Sequence, residues 1–274
     1  MQPLGAVGST HLQIYDRGTS SSVLVLHGFT GSAAAMEGLS EPLSANHRVV
    51  TADLPGHGAS AAPTLGYTMA DVVDDIAEIV LSLELAPVHL VGYSMGGRIA
   101  LSYAVTHGSD LRSLFLIGAS AGLAMDRERR RRCQADDALA DQIEERGMEW
   151  FANYWSSQPL LQPVTDRGAV AANALELIRK SHDPVGQANA LRALGVGRMP
   201  PVHDELGQIR IPTALLAGSE DVRYVTIASE MKVAMPCAEM FVLQDAGHAA
   251  HLDAPSEVVR IALDFFAEVE ASSR

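Results

Sequence analysis

Gly92-Tyr93-Ser94-Met95-Gly96-Gly97-Arg98 is the stretch on which the reading of this chain turns. It follows the apolar run Val88-His89-Leu90-Val91, which predicts a buried strand, and precedes Ile99 to Thr106, which predicts a helix. Ser94 therefore falls on a strand-to-helix turn, the context in which a Gly-x-Ser-x-Gly match becomes a nucleophile elbow. Glycines at 92 and 96 leave room for a sharp turn, and the helix N-terminus beneath it favours developing negative charge. Without that context the pentapeptide is a small-residue turn with an idle hydroxyl.

Upstream of the elbow, strands and helices alternate. Thr10 to Tyr15 predicts an early strand, and Val23-Leu24-Val25-Leu26 a short one buried on both faces of a parallel sheet. The second runs into the glycine-bracketed loop His27-Gly28-Phe29-Thr30-Gly31. Ala33 to Leu43 reads as helical, and His47 to Ala52 as a strand ending in Asp53-Leu54-Pro55-Gly56-His57-Gly58. From Met69 to Leu83 apolar residues recur with a 3.6-residue period, with Asp71, Asp74, Asp75 and Glu78 between them, which predicts an amphipathic helix with an acidic solvated face.

Downstream, Leu114-Phe115-Leu116-Ile117 gives another apolar strand, and then the alternation stops. Asp126 to Gly147 is long, charged and helical in composition, Met148 to Trp155 is aromatic, and Ala169 to Arg179 and Val185 to Leu194 predict further helices. No strand reads clearly before Ile211. The pattern is that of an α/β fold with a mostly parallel central sheet flanked by helices. A helical cap, residues 121–206, is inserted into a core made of residues 1–120 and 207–274.

Strands return at Thr213 to Ala217 and Met240 to Gln244, each followed by a loop with a chemically useful residue: Gly218-Ser219-Glu220-Asp221 and Asp245-Ala246-Gly247-His248. Pro255 to Val269 predicts a closing amphipathic helix. The chain order Ser94, Asp221, His248 is that of the α/β-hydrolase triad, each member in a loop after a strand. A serine hydroxyl is a weak nucleophile and base near neutral pH, so it needs His248 to take its proton, and His248 needs a carboxylate to fix its tautomer. Glu220 competes with Asp221 for that role. Backbone N–H groups of Met95 and Phe29 are the expected oxyanion hole.

Composition excludes other classes. A net charge of −13 disfavours nucleic acid as a partner. Cys133 and Cys237 give neither metal-ligand spacing nor a disulfide framework, as expected in a reducing cytoplasm. No run approaches the roughly eighteen apolar residues of a membrane span. His251, three residues after His248, lacks the further ligands a metal would need. Oligomeric state is not legible.

A triad serves many reactions, and residues at the pocket must discriminate among them. Arg98, one turn into the elbow helix, offers forked, permanently charged donors suited to a carboxylate. The cap opens with Asp126-Arg127-Glu128-Arg129-Arg130-Arg131-Arg132, whose consecutive arginines span the whole helix circumference, so that only one or two can face inward.

Taken together, Leu26 to Gly31, Asp53 to Gly58, Val91 to Arg98, the arginine-rich cap entry leading to Asp136-Asp137-Ala138-Leu139-Ala140, Phe151 to Trp155, Gln158-Pro159-Leu160 and Gly247-His248-Ala249-Ala250-His251 resemble the 2-succinyl-6-hydroxy-2,4-cyclohexadiene-1-carboxylate synthase family of menaquinone biosynthesis. The resemblance spans nearly the whole chain, the cap included. It implies Ser94, Asp221 and His248 as the triad, Arg98, Arg132 and Arg179 as ligands of a small tricarboxylate substrate, and Tyr93 and Trp155 as pocket residues. Lys180 and Arg192 are alternatives to Arg179. It further implies a lyase that releases pyruvate, with serine and histidine acting as a base and with no cofactor or metal. The chain departs from some relatives at Ala121-Gly122-Leu123-Ala124, where they carry a basic or polar residue. Read from the triad alone, a hydrolase acting on a small anionic ester, thioester or diketone is the alternative.

Overall fold

The computed structural model describes residues 2–61 and 66–272. In chain order these form β1 (Gln2–Val7), β2 (Leu12–Arg17), β3 (Ser22–Leu26), α1 (Glu37–Leu43), β4 (Arg48–Ala52), α2 (Met69–Ser82), β5 (Val88–Tyr93), α3 (Met95–His107) and β6 (Leu111–Ile117). Three helices follow without an intervening strand: α4 (Asp126–Ser156), α5 (Asp166–Ser181) and α6 (Pro184–Leu194). The sheet resumes with β7 (Thr213–Gly218), α7 (Val222–Ala234) and β8 (Ala238–Leu243), and the chain closes with α8 (Ala250–Asp253) and α9 (Pro255–Ser272).

Eight strands make one sheet in the order β1-β2-β4-β3-β5-β6-β7-β8. Only the β1–β2 and β2–β4 pairings are antiparallel; from β4 to β8 every neighbour is parallel. Strand alternation explains why the central strands read as continuous apolar runs. Leu24, Leu26, Leu90, Leu114 and Leu116 face a core shared with α2, α3 and α7. Val23, Val25, Val91, Phe115 and Ile117 face the opposite core, sealed by α1 and by Val258, Ile261, Phe265 and Phe266 of α9. Burial on both faces favours apolar side chains along such a strand, and the polar exceptions His89 and Ser113 bond to each other at 2.6 Å. Parallel pairing also brings the ends of β3, β5, β6, β7 and β8 to one edge, where the loops carrying Phe29, Ser94, Asp221 and His248 meet.

Two expectations change here. The strand placed at Thr10 starts instead at Leu12, because Thr10 and His11 belong to a turn in which His11 has a φ of 55° and its N–H bonds the Gly8 carbonyl. The turn joins β2 to β1, an edge strand whose Pro3 and Gly5 obscure any alternation. On α2, Asp75 is not part of a solvated face. It is 2 % exposed, and it accepts hydrogen bonds from the backbone and hydroxyls of Ser9 and Thr10, tying the helix to that turn. Asp71 forms a capping box with Thr68 at the start of the same helix.

The three helices between β6 and β7 have a small core of their own: Ala140, Ile143, Met148 and Phe151 of α4 against Ala188 and Leu191 of α6, with Phe29 and Trp155 packed on it. Within α4, Gly147 has a φ of 78° and a ψ of 176°, which breaks the helix into two arms. Arg132 lies on the first arm and Trp155 on the second. Twenty-three residues of straight helix would separate them by about 35 Å at 1.5 Å per residue. Among the described residues no helix is long and apolar enough to cross a membrane.

Candidate active site

The elbow is strained as its role requires. Ser94 has a φ of 50° and a ψ of −105°, a conformation that serine rarely adopts, and its N–H is held by the Ile117 carbonyl at 2.9 Å. Room for it comes from close backbone packing. A Cβ on Gly96 would fall inside contact distance of the Leu26 and His27 carbonyls, and one on Gly92 would strike the backbone at Gly96 and Gly97.

Ser94 Oγ donates to His248 Nε2 at 3.1 Å, and His248 Nδ1 donates to Asp221 Oδ2 at 2.8 Å. His248 and Asp221 are both buried. Asp221 also caps α7, its Oδ1 accepting the Tyr224 N–H at 3.2 Å. Glu220, the competing acid, is exposed, and its carboxylate accepts from the Ser219 hydroxyl at 3.2 Å, not from His248. The loop carrying His248 is fixed by Asp253, whose Oδ2 accepts the Gly247 N–H while its Oδ1 accepts the N–H groups of Val164 and Thr165 ahead of α5.

The N–H groups of Phe29 and Met95 have no acceptor among the described residues. The Phe29 loop is clamped on its far side. Thr30 donates its N–H to His57 Nε2 at 3.1 Å and accepts at its carbonyl from His182 Nε2 at 3.2 Å, while His182 Nδ1 accepts the Gly58 N–H. Burial pushes His57 and His182 below the usual imidazole range and lowers His27 to about 4, so all three stay neutral and act through fixed tautomers. His27 and His57 fall within the loops quoted after β3 and β4, without any role read for them there. Nothing in the sequence pointed to His182.

A cavity of about 110 Å³ opens above Ser94, lined by Phe29, Tyr93, Met95, Arg98, Arg132, Trp155, Tyr224 and His248 among others. Arg98 spends one nitrogen, Nη1, on the Leu194 carbonyl at 2.9 Å, and no carboxylate comes within salt-bridge distance of it among the described residues. Burial lowers its guanidinium to about 10, which leaves it cationic at neutral pH. Arg132 is the one arginine of the cap entry to reach this cavity; Arg127, Arg130 and Arg131 are exposed, and Arg129 bonds the carbonyls of Leu123 and Ala124. Arg132 Nε is held by Asp136 Oδ1 at 2.8 Å. Asp136 is 4 % exposed, its Oδ2 has no hydrogen-bond partner among the described residues, and burial raises its carboxyl above the ordinary range against the pull of Arg132.

Arg179 stands apart from the cavity lining. It is buried, with Nε on the Thr30 hydroxyl at 3.0 Å and Nη1 on the Ser156 hydroxyl at 2.9 Å. Its alternatives are occupied elsewhere: Lys180 pairs with Glu149 and Glu176, and Arg192 with Asp141 and Glu144. Tyr93 is buried against His251, their rings 4.3 Å apart, and burial raises its phenol. His251 is likewise sealed in and lowered to about 3 by burial. Trp155 stacks edge-on against Phe29 at 5.3 Å.

An elbow serine joined through histidine to an acid on the following strand loops, above a mainly parallel sheet, defines the α/β-hydrolase class, and residues 22–201 match the family described as alpha/beta hydrolase fold. Within that class the chain belongs to the 2-succinyl-6-hydroxy-2,4-cyclohexadiene-1-carboxylate synthase family. It is 31 % identical to the synthase of that name from Salmonella paratyphi A (strain ATCC 9150 / SARB42), over 87 % of this chain and 90 % of the relative. A Bacillus subtilis (strain 168) protein provisionally given the same name is 33 % identical over 91 % of this chain and 92 % of its own. The structure of MenH from S. aureus superposes with a TM-score of 0.88 at 29 % identity, covering 95 % of this chain and 99 % of that one.

Proposed function

We propose that this enzyme eliminates pyruvate from 2-succinyl-5-enolpyruvyl-6-hydroxy-3-cyclohexene-1-carboxylate to give 2-succinyl-6-hydroxy-2,4-cyclohexadiene-1-carboxylate. The observation that carries this reading is Arg98: a cationic guanidinium with no carboxylate within salt-bridge distance among the described residues, opening into the same cavity as the Ser94 hydroxyl. Such a group destabilises an apolar ester there and favours a polyanion.

In this mechanism His248 takes the Ser94 proton, with Asp221 stabilising the imidazolium, and Ser94 removes a proton from the ring carbon of the substrate. Negative charge builds on the conjugated oxygen facing Phe29 N–H and Met95 N–H. The electron pair then moves through the ring, a carbon–carbon double bond forms, and the carbon–oxygen bond to the enolpyruvyl group breaks. Protonation of the released enolate gives pyruvate. Arg98 and Arg132 hold substrate carboxylates, Tyr93 and Trp155 shape the ring site, and Arg179 supports it from behind Thr30. Residues 121–206 act as a cap over a core of 1–120 and 207–274, supported by the separate apolar core of α4 and α6. The free thiols Cys133 and Cys237 suit a cytoplasmic setting.

The test is a pyruvate-coupled assay with the succinyl-enolpyruvyl substrate. Pyruvate release without appreciable turnover of nitrophenyl esters is the expected result. A burst of nitrophenol without pyruvate would make the protein an acyl-enzyme hydrolase instead.

A further inference from the structure

Tyr224 belongs to no motif, yet two neighbours fix it in the cavity. It sits in the first turn of α7 with its N–H on Asp221 Oδ1, and its ring lies 4.4 Å from the His248 ring at 52° between planes. Backbone and ring are thus set by the same two residues that serve Ser94.

Its hydroxyl is free by contrast. Tyr15 and Tyr103 donate to Asp53 and Asp110, as a phenol withdrawn from water ordinarily does. Tyr224 Oη has no hydrogen-bond partner among the described residues and is not sealed from solvent, and the residue lines the cavity with Arg98 and Arg132. An unused donor at a cationic wall suits an incoming anion.

We propose that the Tyr224 hydroxyl is a specificity-determining donor to the substrate carboxylate that pairs with Arg98, an inference that rests on the lyase reading above. Burial raises the phenol and outweighs the opposing effect of Arg98, the strongest charge acting on it, so the group remains an O–H donor at neutral pH. The guanidinium supplies charge and a planar fork; the phenol approaches from α7, a different element, and fixes the rotation of the carboxylate that the fork leaves free. It adds a short O–H···O⁻ bond without adding positive charge beside His248, whose protonation the base step requires.

Tyr224→Phe removes the hydroxyl and keeps the ring on His248, and because no internal hydrogen bond is lost, Tm should be unchanged. With the succinyl-enolpyruvyl substrate, KM should rise about tenfold, the loss of one hydrogen bond to a charged group, with kcat within about twofold of wild type. Binding gives a readout independent of turnover: by calorimetry, S94A/Y224F should bind this substrate about tenfold more weakly than S94A. An unchanged KM and Kd would overturn the inference and leave Tyr224 as packing for His248. A lower kcat at unchanged KM would also overturn it, since the hydroxyl would then act on the reacting atoms. Absence of pyruvate release by the wild-type protein would remove the lyase reading and this inference together, whereas release with an unaltered Y224F variant removes the inference alone.

Discussion

Arg179 Nε donates to Thr30 Oγ1 at 3.0 Å, joining residues 149 positions apart. The bond runs from α5 to the loop whose Phe29 N–H is proposed above as an oxyanion donor. On the lyase reading, Arg179 would hold the Phe29 loop in place through Thr30. Arg179→Ala should lower kcat by about tenfold or more with little change in KM, and Thr30→Val should reproduce part of the loss. Steady-state kinetics of both variants check this; a rise confined to KM would put Arg179 on the substrate.

Ser94→Ala should reduce turnover by at least about a thousandfold while leaving substrate affinity nearly intact. Single-turnover pyruvate release and titration calorimetry measure the two effects separately. Turnover near the wild-type rate would remove Ser94 from the base role.

Arg98→Ala should weaken the substrate by about 1.5–3 kcal/mol, the worth of a hydrogen bond to a charged group. Asp136→Asn should act on the same subsite more gently by loosening Arg132, raising KM severalfold. Unchanged kinetics in both variants would turn these guanidinium groups away from the substrate.

Triad and elbow were legible because each is local: a motif, a flanking strand and a position in the chain order. Tyr224 and Asp136 were not, because their importance is a matter of which way a helical side chain points. Asp136 looks in sequence like any acid beside an arginine run, and only its burial next to Arg132 gives it work. The acidic pattern on α2 misled for the same reason: Asp75 follows the spacing of a solvent face, but the β1–β2 turn covers it. His182 was invisible because its partners, Thr30 and Gly58, lie on loops more than a hundred residues away.

Stability should fall in mild acid. Burial lowers His27 and His89 to about 4, and lowers His47, His57 and His182 as well. The unfolded chain binds protons on these residues near pH 6.5 while the folded chain refuses them, so stability is full above about 6.5 and declines as pH drops toward 4. Calorimetry at pH 7.5 and pH 5 should show a Tm lower at pH 5 by on the order of 5–10 °C. A flat profile across that window would mean that these imidazoles titrate normally in the fold.

Gly147→Ala should destabilise the protein by about 1–3 kcal/mol even though the added Cβ meets nothing within 4 Å, because the cost is torsional. Denaturant melts of the single variant test this, and a neutral result would show that the bend survives a side chain.

That bend also dictates which lengths of α4 evolution can vary. Each arm sends one residue to the cavity, Arg132 or Trp155, and the two arms meet at a shared pivot. Adding or removing one residue within an arm turns its far end by about 100°. An indel between 133 and 146 would swing the guanidinium out to water and leave the indole seated; one between 148 and 154 would do the reverse. Homologues that preserve this chemistry should therefore accept changes of length in the segments before and after α4, while both counts to the pivot stay constant.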